Sequence, residues 1–291
     1  MTLRRRHLLH LALGSATALL TGTRAHAGQK ARADRLHWLA TADSGSGDRN
    51  QLAVGAAMAA LQRRDPVDLV ILGGDNIYNE GEMTRVGVAF ERPYRELLRA
   101  GVPFHAVLGN HDIRTTNGSG QLAYPGFGMK GRRWYTVRQG PVEFVLLDTN
   151  GNAAWQHQLP WLKRVLAASA APWKVVVGHH PIYSSGFYGN DRAAIARLTP
   201  LFRQHGVQLY INGHDHNYER SRPIDGTTYL TVGNGGASLR PVAPGPNSAR
   251  AVSTFGFTSL HAGPDKLTIE AWNTSGQRLD RAVLDRSGAL I

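Results

Sequence analysis

The stretch "WLATADSGSGD", Trp38 to Asp48, decides how the chain is read. An apolar run stops at Asp43 and is followed by Ser44, Gly45, Ser46 and Gly47. Asp and Gly are ordinary turn residues, so the run can simply end in a turn. Alternatively, the strand delivers a carboxylate to its carboxyl end, where open α/β sheets bind ligands. The rest of the chain separates these readings.

Apolar runs alternate with helical patterns along most of the sequence. "RLHWLATAD" reads as a strand and "NQLAVGAAMAALQRR" as a helix; "DLVILGGD" is a strand and Thr84 to Ala100 a helix; "PFHAVLGNHD" is a third strand. "RRWYTVRQGPVEFVLLDTN" predicts a hairpin turning at Gln139-Gly140, and "WQHQLPWLKRVLAASA" a helix with a break or restart at Pro160. "PWKVVVGHH" is a strand, Arg192 to His205 a helix and "VQLYINGHDH" a strand. From "TTYLTVGNGG" onward the pattern predicts antiparallel strands. The sum is an α/β protein with mixed sheets.

Five of the apolar runs stop at polar groups: Asp43; Gly74-Asp75; Gly109-Asn110-His111-Asp112; Gly178-His179-His180; and Gly213-His214-Asp215-His216. One such ending is a turn. Five together are not explained that way, because histidine is not a favoured turn residue. The glycines permit tight bends beside a crowded site. His214 and His216 are two apart, which puts both imidazoles on one side of an extended segment. Imidazole, carboxylate and amide oxygen suit iron, zinc or manganese. Two such ions about 3.5–4 Å apart clamp a phosphoryl group and activate water.

The segments Asp43-Ser44-Gly45, Gly74-Asp75-Asn76-Ile77-Tyr78, Gly109-Asn110-His111-Asp112, Val176-Val177-Gly178-His179 and Gly213-His214-Asp215-His216 resemble, in order and spacing, the motif set of the calcineurin-like metallophosphoesterases. Within that superfamily they are most similar to the purple acid phosphatase pattern, and the likeness runs from about Leu36 to Gly236. The resemblance implies a four-layer α/β/β/α sandwich of two mixed sheets flanked by helices. It also implies two metal ions. Site one, expected to hold Fe(III), takes Asp43, Asp75, Tyr78 and His216; site two, for Fe, Zn or Mn, takes Asp75, Asn110, His179 and His214, with Asp75 shared. In much of the superfamily a histidine stands where this chain has Gly45, and the purple phosphatases carry a metal-bound tyrosinate where this chain has Tyr78. Tyr78 is therefore expected to replace the missing ligand. His111 is expected to touch the phosphate or the leaving-group oxygen, and Asp112 to orient His111.

One departure concerns the leaving group. Close relatives often carry a histidine near "YSSGFYG", where this chain has Phe187 and Tyr188. His180 or Tyr188 takes that role, or it falls to His111 alone. The implied activity is hydrolysis of phosphate monoesters, with a metal-bound hydroxide attacking phosphorus in line. A phosphodiesterase or nucleotidase with the same centre is the alternative. A binding protein with a vestigial centre predicts lost ligands or a lost His111, and neither is lost.

The chain opens "MTLRRRHLLHLALGSATALLTGTRAHAG": arginines, an apolar run from Leu8 to Leu20, then Ala25-His26-Ala27. This predicts a signal peptide over residues 1–27, cleaved before Gly28, and Arg5-Arg6 resembles the twin-arginine type read by the Tat export machinery. Residues 28–291 are then one catalytic domain with no membrane span, exported to the periplasm or the extracellular space. Purple phosphatases of plants carry an additional amino-terminal β domain; the short lead before Asp43 is similar to the single-domain form. No cysteine is present, so a disulfide framework is excluded and any metal must be held by oxygen and nitrogen. The formal net charge is +12, and residues 1–27 carry four arginines and no acid, leaving +8. Such a surface attracts anions, which fits a small phosphorylated substrate, and no specific nucleic-acid recognition is expected.

Overall fold

The opening stretch contains two aspartates with different duties. Asp48 caps the first helix, α1 (Arg49–Arg64), and accepts hydrogen bonds from the Asn50 and Gln51 amides at 2.9 and 3.1 Å. Asp43 instead follows strand β1 (Leu36–Thr41), which is buried along its whole length. A strand covered on both faces needs a layer on each side, and the computed structural model, which describes residues 34–291, supplies them.

Six strands form the first sheet. Its order is β13 (Arg278–Asp285), β12 (Lys266–Asn273), β11 (Gly256–Ala262), β1, β2 (Leu69–Leu72) and β3 (Phe104–Ala106). The second has seven: β10 (Ser248–Val252), β8 (Tyr218–Ser221), β9 (Thr228–Val232), β7 (Leu209–Asn212), β6 (Trp173–Val177), β5 (Val142–Leu146) and β4 (Tyr135–Gln139). Side chains two apart share a face of a strand. Phe144, Leu146, Val175, Val177, Leu209 and Ile211 therefore point from the second sheet into a core shared with Trp38, Ile71 and Leu260 of the first. Trp38 meets Phe144 edge-on at 5.3 Å. The intervening residues Val145, Val176 and Tyr210 face the other way, onto Leu162 and Leu166 of α4 (Trp155–Ala168) and Leu198 and Phe202 of α5 (Arg192–His205). On the outer side of the first sheet, Val54 and Met58 of α1 close the fourth layer. The expected four-layer sandwich is the fold observed.

Three local expectations are corrected. The single helix read over Thr84–Ala100 is a 3₁₀ turn (Met83–Arg85), a π-helical turn (Gly87–Glu91) and α2 (Arg95–Arg99). Pro93 lies between the last two, and it has no amide proton with which to continue the helical hydrogen bonds. Pro160 was expected to break or restart its helix, yet α4 runs through it. Only one early hydrogen bond is lost there, and Leu162 and Leu166 hold the next turn in the core. The tail is not wholly antiparallel: β9 inserts between β8 and β7 and runs parallel to β7.

The two sheets meet beyond β1. Ala42 donates to the Val232 carbonyl at 2.9 Å and its own carbonyl accepts from Gly235 at 3.1 Å, so the end of β1 is bonded to the end of β9. The carboxyl ends of β1, β2, β3, β6 and β7 converge on this junction.

Candidate metal centre

Asp43, Asp75 and His214 each take a left-handed backbone, with φ of 54°, 53° and 68°. Non-glycine residues rarely sit there, and such positions cluster at functional sites. The sharp bends fold the side chains back into the junction. Glycines make the crowding possible: a Cβ on Gly74 would stand 2.6 Å from the His179 ring, and one on Gly109 or Gly213 would clash with the Asp75 or Asp43 carboxylate.

The side chains fall into two groups that share Asp75. In the first, the Tyr78 hydroxyl lies 3.1 Å from Asp43 Oδ1, 3.0 Å from Asp75 Oδ2 and 3.2 Å from His216 Nε2. In the second, His179 Nε2 lies 3.5 Å from Asp75 Oδ2, 3.1 Å from Asn110 Oδ1 and 3.2 Å from His214 Nδ1. Backbone carbonyls fix the rings. His179 Nδ1 donates to Gly73 at 2.9 Å and His216 Nδ1 to Ser238 at 2.8 Å, which leaves each Nε2 with its lone pair aimed inward.

This arrangement tests whether ions fit. One phenol proton faces three acceptors, and two imidazole lone pairs face buried carboxylates. Lone pairs aimed at one another repel unless something positive stands between them. Burial opposes charging His179, but the Asp75 and Asp43 carboxylates outweigh it and hold its pKa above the ordinary value. His216 is likewise raised, Asp43 overcoming burial. Burial also works against the Asp43 carboxylate, but His216 and His179 hold its pKa below the ordinary range. Tyr78 is pushed well above its usual range by burial and then by Asp43 and Asp75. A donor set of carboxylate, amide, imidazole and phenol oxygen or nitrogen is one that hard or borderline cations accept.

Gly45 is closed to any side chain on steric grounds. Its amide donates to the Asp75 carbonyl at 3.1 Å and its carbonyl accepts from Tyr78 at 2.9 Å. A Cβ there would penetrate the backbone of Asn76 and Ile77. The Tyr78 hydroxyl enters the group formed by Asp43, Asp75 and His216 from the adjoining loop.

His111 lies beside the first group. Its ring contacts Tyr78 at a centroid distance of 4.5 Å, Nδ1 donates to the Asn79 carbonyl at 2.7 Å, and Nε2 lies 3.9 Å from Asp75 Oδ2. With Tyr78, Asn79, His216, Ser46 and Ser238 it lines a cleft of about 550 Å³. A larger cavity of about 620 Å³ opens at the start of β1, between Arg35 and Lys266, away from all these groups.

Asp112 does not orient His111, which corrects that expectation. Its carboxylate is fully buried and turned away. It accepts from the amides of Gly109 (2.8 Å), Asn76 (2.9 Å) and Ile77 (3.1 Å) and from Gln121 Nε2 (2.8 Å). A buried carboxylate takes the donors within reach, and these are loop amides. Asp112 therefore ties the Asp75 loop to the Asn110 loop, and even so burial and Asp75 push its pKa up to about 7. Asn79 sets the His111 tautomer instead. His180 sits on the opposite side, 4.5 Å ring to ring from His214, with Nδ1 2.9 Å from the Thr149 hydroxyl. Burial and the neighbouring His179 push its pKa down to about 3.

Three residues at the site were not read from the sequence. Arg114 brings Nη2 to 3.4 Å from His111 Nε2. Asp215, between the two histidines, is fully buried and holds the Ser184–Phe187 loop. Arg240 donates to the His214 carbonyl at 3.1 Å. Arg114 follows His111 by three residues and was findable; Arg240 lies in a Gly- and Pro-rich segment with no signal.

Two sheets whose strand ends gather carboxylates, imidazoles, an amide and a phenol define a metal-dependent phosphate ester hydrolase. Residues 36–218 match the family described as Calcineurin-like phosphoesterase, and the chain belongs to that family. It is 29% identical to Purple acid phosphatase 7 of Arabidopsis thaliana over 87% of each chain. It is also 29% identical to Tartrate-resistant acid phosphatase type 5 of Mus musculus over 75% of this chain and 79% of that one. Among solved structures, a purple acid phosphatase from yellow lupin seeds superposes with a TM-score of 0.75 at 21% identity, covering 86% of this chain and 54% of that one. GAP50, an anchor in the inner membrane complex of Plasmodium, shares the fold at a TM-score of 0.74 and 22% identity, covering 86% and 89%.

Proposed function

We propose that the protein hydrolyses phosphate monoesters at a centre of two ions. One, Fe(III), is held by Asp43, Asp75, Tyr78 and His216; the other, Fe, Zn or Mn, by Asp75, Asn110, His179 and His214. The observation that carries this reading is the Tyr78 hydroxyl set among Asp43, Asp75 and His216 Nε2, a nest of donor atoms around a position that calls for a cation. When bound, the ions would polarise the phosphate oxygens and supply the nucleophile.

The chain's own groups do the rest. The Asn79 carbonyl holds one proton on His111 Nδ1, so Nε2 faces the cleft; in the imidazolium form Nε2 carries a second proton, which it gives to the leaving-group oxygen and leaves the ring neutral. Arg114, paired with Glu80 at 3.2 Å, brings Nη2 to 3.4 Å from His111 Nε2 and braces that ring at the edge of the cleft. Asp112 keeps the two loops that carry Asp75 and His111 at a fixed separation through its four amide partners.

Export belongs to the same proposal. The signal peptide read over residues 1–27 lies outside the described residues. No helix among the described residues is long and apolar enough to cross a membrane.

Paired aryl mono- and diesters, assayed in competition on the metal-loaded protein, test the substrate class. Monoesters should show the higher kcat/KM. A diester preference of tenfold or more overturns the monoesterase reading and favours a phosphodiesterase.

A further inference from the structure

We propose that Phe187 and Tyr188, backed by Arg240, form a stacking platform for a planar aromatic leaving group on the phosphate ester, an inference that rests on the phosphoesterase reading above. Phe187 is 75% exposed and Tyr188 45%, although large apolar rings are normally drawn inward. A loop that merely packed would bury them. Here the Tyr188 ring lies flat on His214, with centroids 3.9 Å apart and planes 18° from parallel. Phe187 stands edge-on to Tyr188 at 5.1 Å. The Arg240 guanidinium lies 4.9 Å from the Tyr188 centroid and 5.3 Å from that of Phe187. The rings thus step outward from one of the histidines at the metal centre, and a cation stands against them.

The platform is fixed rather than loose. The Phe187 amide donates to Asp215 Oδ1 at 2.9 Å and the Ser184 hydroxyl to Oδ2 at 2.6 Å. Gly186 presses so closely on the same carboxylate that a Cβ would lie 2.6 Å from it. Arg240 is held by the His216 and His214 carbonyls, at 3.0 and 3.1 Å. Both halves are therefore anchored on the His214–His216 segment that also carries two of the centre's imidazoles. A leaving group directed out past His214 would meet Tyr188, which stacks on that ring, and then Phe187. A flat ring gains stacking and a cation–π partner there, while an alkyl chain gains only contact.

The experiment uses the metal-loaded protein and two pairs of ligands. Phenylphosphonate and methylphosphonate report binding without turnover, by calorimetry. Benzyl phosphate and propyl phosphate have alcohols of similar acidity and report hydrolysis. Phenylphosphonate should bind about tenfold more tightly than methylphosphonate. Phe187→Ala should remove most of that preference, Phe187→Trp should retain it, and the benzyl-to-propyl ratio of kcat/KM should fall about tenfold in Phe187→Ala, through KM. Adenosine 5′-monophosphate assigns the source of the ring: a matching loss points to a nucleobase, and a loss confined to benzyl phosphate to a ring next to the ester. Equal affinities of the two phosphonates for the unaltered protein, or an equal loss of both in Phe187→Ala, overturn the platform. If the phosphonate preference is present but no ester is hydrolysed, the function proposed above fails while the platform stands.

Discussion

Gly45→Ala is the smallest change with the largest expected consequence. The added methyl would lie inside the van der Waals surface of the Asn76 and Ile77 backbone, which cannot swing aside as a side chain can. Overpacking of this kind costs about 1–3 kcal/mol. Separating the two loops also weakens the Gly45–Asp75 and Tyr78–Gly45 backbone hydrogen bonds, at about 1 kcal/mol each. The sum is about 3–5 kcal/mol, which for a domain of this size lowers Tm by roughly 6–15 °C. The displaced loop carries Asp75 and Tyr78, so metal content should fall as well. Gly151→Ala is the control, because nothing lies within 4 Å of its Cβ; its Tm should move by about 1 °C or less. Thermal unfolding with and without a chelator, together with metal analysis, measures both effects. A Gly45→Ala protein within about 1 kcal/mol of wild type and fully loaded would refute the steric account of Gly45. By the same account Gly45→His in a Tyr78→Phe background restores nothing.

Other expectations follow from single groups. Tyr78→Phe should abolish a visible absorption band of the iron-loaded protein while leaving the metal-free Tm within a few degrees; a retained band removes Tyr78 from the donor set. His111→Ala removes no atom from either donor group, so metal content should persist while kcat falls by roughly two to four decades; loss of both metals would show its role to be different. Burial, and then Lys130, lower the pKa of His105 below its ordinary 6.5. The native state therefore binds fewer protons than the unfolded chain below about pH 6.5, and stability contributed there is lost as pH falls. His105→Gln should flatten that acid limb of a Tm–pH curve, and an unchanged slope would dismiss the contribution.

The sequence made some parts of this molecule legible because local pattern and tertiary demand agree. α5 begins and ends where its apolar period does, between the Asp191 cap and the left-handed Gly206. β1, β6 and β7 carry apolar runs closed by polar residues, and the site lies at those closures. Elsewhere a distant contact decides. Thr84–Ala100 has a helical period, but Pro93 and the burial of Phe90 against Phe104 and Phe127 split it. β9 runs parallel to β7 because of where β8 lies, which no local pattern encodes. Adjacency suggested that Asp112 serves His111; the structure gives it to amides of another loop, since a bend at the strand end turns neighbouring side chains apart. Arg240 reaches the site across 24 residues from His216, beyond any motif's range.

The convergence of five strand ends has a topological consequence. A chain without cysteine has no covalent tie between its two sheets. Ions held from Asp43 through His216 would act as one, closing the long stretch of chain between them much as a disulfide closes a loop. A cross-link over that separation stabilises through the unfolded chain's lost freedom, by about 5 kcal/mol on the loop-entropy scale. The centre would then report on folding as well as chemistry. Tm should climb with free metal concentration, as expected for a ligand bound only by the native state, and a Tm indifferent to chelation would sever the link.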